Sequence, residues 1–327
     1  MSAAPWAALA AFAVAFVAVR LLLSRFGKLA LDQPNARSLH ERPVPRTGGV
    51  AVLLGACVAF GFGAAELWLP LALALVLATV SFLDDLYGLP TIARFAVHVG
   101  AAALVVWYFL APMDAVEMIL LIAACTWITN LYNFMDGSDG LAGGMATIGF
   151  GTYAVAAWMS GELALACLCI AVSAAAAAFL VHNLHPARIF LGDVGSIPLG
   201  FLAAALGIIG WRNDVWPLWF PVLVFGPFIG DATVTLVKRL IKGARVWQAH
   251  REHYYQRMVL MGMGHRGTAL LGYCLMSACA AAALAGREQA PWLQATVFLG
   301  MSALLGALAI WVDVRWARSA RGAERTP

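Results

Sequence analysis

Two adjacent carboxylates, Asp84 and Asp85, end an apolar run and lead into a turn carrying Gly88 and Pro90. Acids at the end of a membrane helix are costly unless they are paired or hold a metal, so two together read as chemistry rather than as a solvated helix end. Farther along, Asn133, Asp136 and Asp139 recur at every third position among Gly137, Gly140, Gly143 and Gly144. Helical spacing puts the three on one side, while the glycines predict a break between two helices. A break exposes backbone groups that lipid does not tolerate, so it is expected to line a watery cavity. A calcium loop is the rival reading, but these acids do not follow the twelve-residue EF-hand pattern. A further segment runs from Phe179 to Ser196. In it Gly192 and Gly195 bracket Asp193, which lets a metal ion and a phosphate come close to the backbone, and Asn183 is placed to read a nucleobase edge or bind a phosphate.

Cations stand ready to complement these acids. Arg46-Thr47-Gly48-Gly49 offers a guanidinium, a hydroxyl and free backbone N–H groups, a combination that suits phosphate. It closes a proline-rich loop that begins at Asp32 and carries Arg37, Ser38, His40 and Arg42; read blandly, that loop only sets topology. His250, Arg251, His253, Gln256 and Arg257 form a candidate polyanion-binding segment, with an amphipathic basic helix lying on anionic lipid as the alternative. Asp231, a short way inside an apolar run, is a functional candidate or a partner for Lys238. The six cysteines all lie inside apolar runs, and Cys167 and Cys169 point to opposite sides of a helix. They read as small buried hydrophobes, with no disulfide framework and no zinc site.

The elements that position these residues follow from composition. Of 327 residues, 62% are hydrophobic and 12% charged, against about a quarter charged in a soluble domain. Runs of ~20 apolar residues are long enough to cross a bilayer, and without alternation of period two they are expected as helices rather than barrel strands. Eleven runs stand out, at 5–24, 48–64, 67–84, 94–111, 115–132, 141–159, 163–182, 195–210, 216–237, 267–285 and 291–312. The expected fold is therefore all-α, a polytopic membrane protein of about eleven helices forming one integral-membrane domain over 1–327. The first run is too long for a signal-peptide core and lacks a preceding basic residue, so it is expected as a retained helix.

With the amino terminus outside, nineteen of the 21 Lys and Arg residues fall on the inside, leaving only Arg212 and Arg287 opposite. That bias predicts a periplasmic amino terminus, with the carboxyl terminus and all the motifs above on the cytoplasmic side of a bacterial inner membrane. Basic loops against an anionic leaflet account for the net charge of +4 without any nucleic acid partner. A secondary transporter would place acids near mid-membrane and usually show internal repeats; here the acids gather at one face and no repeat is visible. A non-catalytic binder of a lipid carrier has no need of the glycine-bracketed Asp193.

Taken in order, the segments around Arg46, Asp84-Asp85, Asn133 to Gly144, Asn183 to Gly195 and His250 to Arg257 resemble the polyprenyl-phosphate N-acetylhexosamine-1-phosphate transferase family. The resemblance spans about Asp32 to Arg257 and implies ten or eleven membrane helices, Mg2+ dependence and a cytoplasmic active-site groove open to membrane lipid. It implies that Asp193 is the magnesium-ligand acid. Asp84 and Asp85 match the acids beside the attacking lipid phosphate, and Asn133, Asp136, Asp139 and Asn183 match polar positions around nucleotide and metal. Family members often dimerise, so the resemblance allows a homodimer. The muramoyl-pentapeptide branch carries three consecutive histidines in its last large loop. This chain has His250-Arg251-Glu252-His253 instead and looks like the O-antigen-initiating branch.

The reaction so implied is attack by undecaprenyl phosphate on the phosphorus next to the sugar of a UDP-N-acetylhexosamine, with UMP leaving. Both reactants are anionic. Magnesium on the diphosphate and cations from Arg46, His250, Arg251 and His253 are expected to offset that repulsion, with Thr47 adding a donor. Asp84 is expected to take or orient the acceptor's last proton. Direct displacement is favoured over a covalent aspartyl intermediate, because the lipid phosphate is already a competent nucleophile.

Overall fold

A computed structural model describes residues 3–27, 30–33, 39, 42–245 and 250–323. Lys28, Arg37, Ser38, His40 and Arg325 of the expected inside segments lie outside the described residues, as does the side chain of Arg321.

The apolar runs form helices, as a chain in hydrocarbon requires to satisfy its own backbone groups. They are α1 (Ala4–Arg25), α2 (Gly48–Cys57, extended by a 3-10 turn over Val58–Phe62), α3 (Trp68–Tyr87), α4 (Thr91–Leu110), α5 (Ala115–Phe134), α6 (Leu141–Met159) and α7 (Leu163–Asn183). There follow α8 (Asp193–Arg212), α9 (Trp219–Val224), α10 (Gly226–Ile241), α11 (Tyr254–Met258), α12 (Gly264–Gly286) and α13 (Pro291–Ala323). Among the described residues the one pairing of extended chain is β1 (Leu31–Asp32) against β2 (Val44–Pro45), antiparallel, with Leu31 opposite Pro45.

Among the described residues, eight segments are long and apolar enough to cross a membrane: Ala4–Arg25, Ala65–Tyr87, Thr91–Leu110, Ala115–Phe134, Leu163–Asn183, Asp193–Arg212, Tyr254–Gly286 and Pro291–Ser319. All eleven expected runs coincide with helix, but three fall short of that standard. The 48–64 run is a short helix followed by a 3-10 turn. The 141–159 run is diluted by Gly143, Gly144, Gly149 and Gly151 and is mostly buried against other helices. The 216–237 run is broken at Phe225 into α9 and α10.

The bundle is organised around α8, whose residues from Val194 to Gly210 are all buried. Helices α2, α3 and α5 pack on it, while α6 and α7 form a pair that α1 flanks. At the α5 crossing Gly200 removes any Cβ, and one placed there would stand 2.7 Å from the Tyr132 Cβ. Large apolar side chains at Trp6, Leu9, Trp107, Ile119, Leu120, Leu299 and Ile310 face outward, as lipid-facing surfaces should. The connections α3–α4, α5–α6 and α7–α8 meet at one end of the bundle and carry the acidic motifs.

Candidate active site

The adjacent acids of α3 take different arginines. Gly88, at φ +66°, ends the helix, and the turn lets Asp84 Oδ1 accept the Leu89 N–H at 2.8 Å. Asp84 Oδ2 forms an ion pair with Arg94 from the first turn of α4. Asp85 Oδ1 instead pairs with Arg46 at 3.0 Å, a residue from the far side of the first loop. Asp193 is the first residue of α8, where the helix dipole favours negative charge. It lies within electrostatic reach of Arg46, Arg94 and Asp84 and is hydrogen-bonded by Asn133. Asp136 is half-buried beside Asp193 and Asp32 and accepts the Gly192 N–H; loss of solvent first, then those two negative neighbours, push its carboxyl well above the usual carboxylate range. Asp32, Asp84, Asp85, Asp136 and Asp193 thus share one region with Arg46 and Arg94.

The backbone that builds this cluster uses its glycines differently from the expectation. Gly48 N donates to Phe190 O and Gly49 N to Leu191 O, each at 2.9 Å, while Phe190 N donates to Pro45 O at 2.7 Å. The free N–H groups expected for phosphate are therefore engaged in lacing the first loop to the α7–α8 connection. Gly192, at φ +70°, has no room for a side chain because a Cβ would stand 2.3 Å from Arg46 O. The glycines around Asp193 serve chain against chain rather than chain against ligand. Thr47 is buried and its hydroxyl has no hydrogen-bond partner among the described residues.

The spacing of Asn133, Asp136 and Asp139 does not produce one helical face. Helix α5 ends at Phe134 and α6 begins at Leu141, so the three residues part company across the break. Asn133 Oδ1 accepts from Ser196 Oγ at 2.7 Å, on the α8 side. Asp139 points the other way, with Oδ2 accepting from His185 Nδ1 at 2.7 Å and from Ala187 N at 3.1 Å. Asn183 is buried and both ends of its amide meet backbone, Oδ1 accepting from Gly140 N and Nδ2 donating to Ile189 O. It braces the break.

The segment after α10 docks beside the same break. Asp231 does not pair with Lys238; its two oxygens accept the N–H groups of Tyr254 and Tyr255, each at 2.9 Å, and Oδ1 lies 3.2 Å from His253 Nδ1. Lys238 pairs instead with Asp313 of α13, which also takes Arg257 at 2.9 Å. Tyr255 donates to Phe134 O at 3.1 Å, so this segment touches the end of α5. His253 is buried, with His250 at 4.8 Å between ring centroids. Arg251 lies partly buried between them in sequence. Burial, reinforced by the positive charges of His253, Arg239 and Arg257, lowers the pKa of His250 to about 4. This differs from the expectation of a loop cation, since the ring is neutral near pH 7.

Several participants escaped the sequence reading. Arg94 and His265 stand alone in apolar or glycine-rich stretches, and His185 was not singled out within its motif. None has a spacing signal. A cavity of about 280 Å3 among α9, α10, α12 and α13 touches Asp231 and Tyr255 but none of Asp84, Asp85, Asp136 or Asp193. It is lined chiefly by apolar groups and sits apart from the acid cluster.

Residues 67–211 match the sequence model of glycosyl transferase family 4. A decaprenyl-phosphate N-acetylglucosaminephosphotransferase of Mycolicibacterium smegmatis is 30% identical over 307 residues, covering 78% of this chain and 74% of that protein. The chain belongs to glycosyl transferase family 4. A Bacillus subtilis protein named probable undecaprenyl-phosphate N-acetylglucosaminyl 1-phosphate transferase is 29% identical over 285 residues, covering 81% of this chain and 79% of its own. An Escherichia coli undecaprenyl-phosphate alpha-N-acetylglucosaminyl 1-phosphate transferase is 27% identical over 265 residues, covering 72% and 71%. The family 4 match contains Asp84, Asp85, Asp136 and Asp193 but stops short of Arg46 on one side and His253 on the other.

For a family 4 transferase the donor set can be tested against magnesium. Among the described residues no three His, Cys, Asp or Glu side chains converge as a closed metal cage. Magnesium does not require one, since it takes one or two carboxylates and completes its shell with phosphate oxygens and water. Asp193 and Asp136, both half-buried and with other carboxylates among their nearest charged neighbours, fit that role.

Proposed function

We propose that this multi-pass membrane protein transfers N-acetylglucosamine 1-phosphate from UDP-N-acetylglucosamine to undecaprenyl phosphate, giving the undecaprenyl diphosphate sugar and UMP. The observation that carries the reading is the meeting of Asp84, Asp85, Asp136 and Asp193 with Arg46 and Arg94 at one end of membrane helices. A soluble nucleotide sugar and a lipid-borne phosphate can both reach such a place. The names of its relatives support the same chemistry. The charge distribution, nineteen of 21 Lys and Arg on one side, supports a bacterial inner-membrane location with this end in the cytoplasm. Initiation of a surface glycan such as O-antigen is the pathway role that fits.

In this mechanism an acceptor phosphate oxygen attacks the sugar-bearing phosphorus, and the bond to the UMP oxygen breaks. Arg46 and Arg94, already held by Asp85 and Asp84, supply positive charge toward the reacting phosphates. Asp84 takes or orients the acceptor's proton. Asp193 and Asp136 would hold Mg2+. When bound, magnesium neutralises and orients the diphosphate.

The test is UMP release by purified protein in detergent from UDP-N-acetylglucosamine and undecaprenyl phosphate. Activity that is lost with a magnesium chelator and restored by added Mg2+ is expected. No UMP release from any UDP-N-acetylhexosamine under these conditions would overturn the reading.

A further inference from the structure

His265, the second residue of α12, joins three segments that are distant in sequence. Its Nδ1 lies 3.0 Å from Ser138 Oγ and 3.4 Å from the Asp139 backbone N, and its Nε2 lies 3.2 Å from Leu39 O. A backbone N–H only donates and a carbonyl only accepts, so Nδ1 is the acceptor and Nε2 carries the hydrogen. The ring is thus a neutral imidazole used at both ends. Its face stacks on His185, with centroids 5.3 Å apart and planes within 7°. His185 in turn donates to Asp139. Eight residues on, Tyr273 of the same helix donates to Gly140 O at 2.8 Å. Helix α12 therefore grips the break from one side, and through Leu39 it reaches the loop that carries Arg46.

We propose that His265 is a positioning residue, whose neutral ring fixes the Ser138–Asp139 turn against the first loop and so sets the fit of the donor nucleotide sugar. The part concerning the donor rests on the transferase reading above; the part concerning the turn does not. The ring touches none of the acid-cluster side chains at hydrogen-bond distance. Its loss is therefore expected in donor binding more than in the chemical step.

Three substitutions separate the contributions. His265→Ala removes the ring, His265→Phe keeps a stacking ring without nitrogens, and His265→Asn keeps an acceptor near the Nδ1 position. With His265→Ala and His265→Phe, KM for UDP-N-acetylglucosamine is expected to rise about tenfold while kcat stays within about threefold, the pattern of lost binding rather than lost chemistry. His265→Asn is expected to recover most of that loss. Hydrogen exchange of the 135–141 peptide in purified protein reads the staple without any turnover. It is expected to quicken about tenfold in the Ala and Phe variants and to stay near wild type in Asn. Unchanged exchange in His265→Ala would overturn the staple whatever the enzyme's activity. Faster exchange with an unchanged KM would overturn the link to the donor, and a wild-type-like His265→Phe would reduce the residue to packing. A wild-type protein that releases no UMP, yet shows the exchange pattern, would separate failure of the transferase reading from failure of the staple.

Discussion

Gly49 and Gly195 meet backbone to backbone: a Cβ built on Gly49 would stand 2.3 Å from Gly195 Cα, and one built on Gly195 would stand 2.5 Å from Gly49 Cα. No side chain lies between them to yield, so a methyl group must push the first loop away from the start of α8. That displacement moves Arg46 relative to Asp193. Gly49→Ala and Gly195→Ala should each lower turnover by about 100-fold or more and lower the melting temperature, as overpacking does. Gly61→Ala, with nothing within 4 Å of the added carbon, is the matched control and should behave as wild type.

The sequence made the acids legible because each sits at the end of an apolar run, where a charge has no ordinary reason to be. Asp84, Asp85, Asp136 and Asp193 do converge. What it concealed depends on contacts between distant segments. The glycines beside Asp193 suggested room for a ligand, whereas Gly192 is filled by Arg46 O and Gly195 by Gly49. Asp136 and Asp139 share a motif but face different partners, because they lie in the expected break after α5, which ends at Phe134, where helical spacing no longer aligns them. Asp231 read as a functional candidate or as a partner for Lys238, and its oxygens take the backbone N–H groups of the segment after it. The count of crossings was blurred where glycine or a chain break lowered the apolarity of a buried helix, as in α6 and at Phe225. A helix shielded by its neighbours has little need for the hydropathy that lipid demands.

His250 gives a pH prediction. Its folded pKa of about 4 lies below the ordinary 6.5. Between those values the unfolded chain binds a proton that the folded protein refuses, so stability is fullest above about pH 6.5 and falls as pH drops toward 4. Replacing the ring in His250→Asn removes this contribution. Thermal melts of both proteins across that window should show a shallower loss for the variant, and parallel curves would show that the ring titrates normally. Replacing His250 and His253 together with Ala should lower turnover about 100-fold, because the buried His253 also leaves Asp231 with one partner fewer. Near wild-type activity would leave the segment as a packing element with no part in turnover.

Topology is open to direct measurement. The nineteen-to-two division of Lys and Arg predicts Pro5 near the periplasmic face and Arg321 in the cytoplasm. Reporter fusions at the two termini should therefore report opposite compartments. Both termini on one side would require an even number of crossings and would undo the eleven-span reading.

Asp193 and Asp84 should fail in different ways. Asp193 opens α8 beside the half-buried Asp136, two carboxylates suited to one hydrated magnesium ion and a diphosphate. The amide in Asp193→Asn keeps the shape and removes the charge. It should abolish turnover and flatten the magnesium dependence of UDP-sugar binding. Asp84 has its oxygens on Leu89 N and Arg94, at the end of α3 where a lipid phosphate arrives. Asp84→Asn keeps a hydrogen-bonding oxygen for Leu89 but weakens the hold on Arg94 and removes the proton acceptor. Turnover should fall about 100-fold while the nucleotide sugar still binds with its normal dependence on magnesium. Titrating UDP-N-acetylglucosamine into each variant, with and without Mg2+, separates the two. Equal loss of binding in both would mean that Asp84, through Arg94, belongs to the same electrostatic unit as Asp193 rather than to the acceptor's side of the reaction.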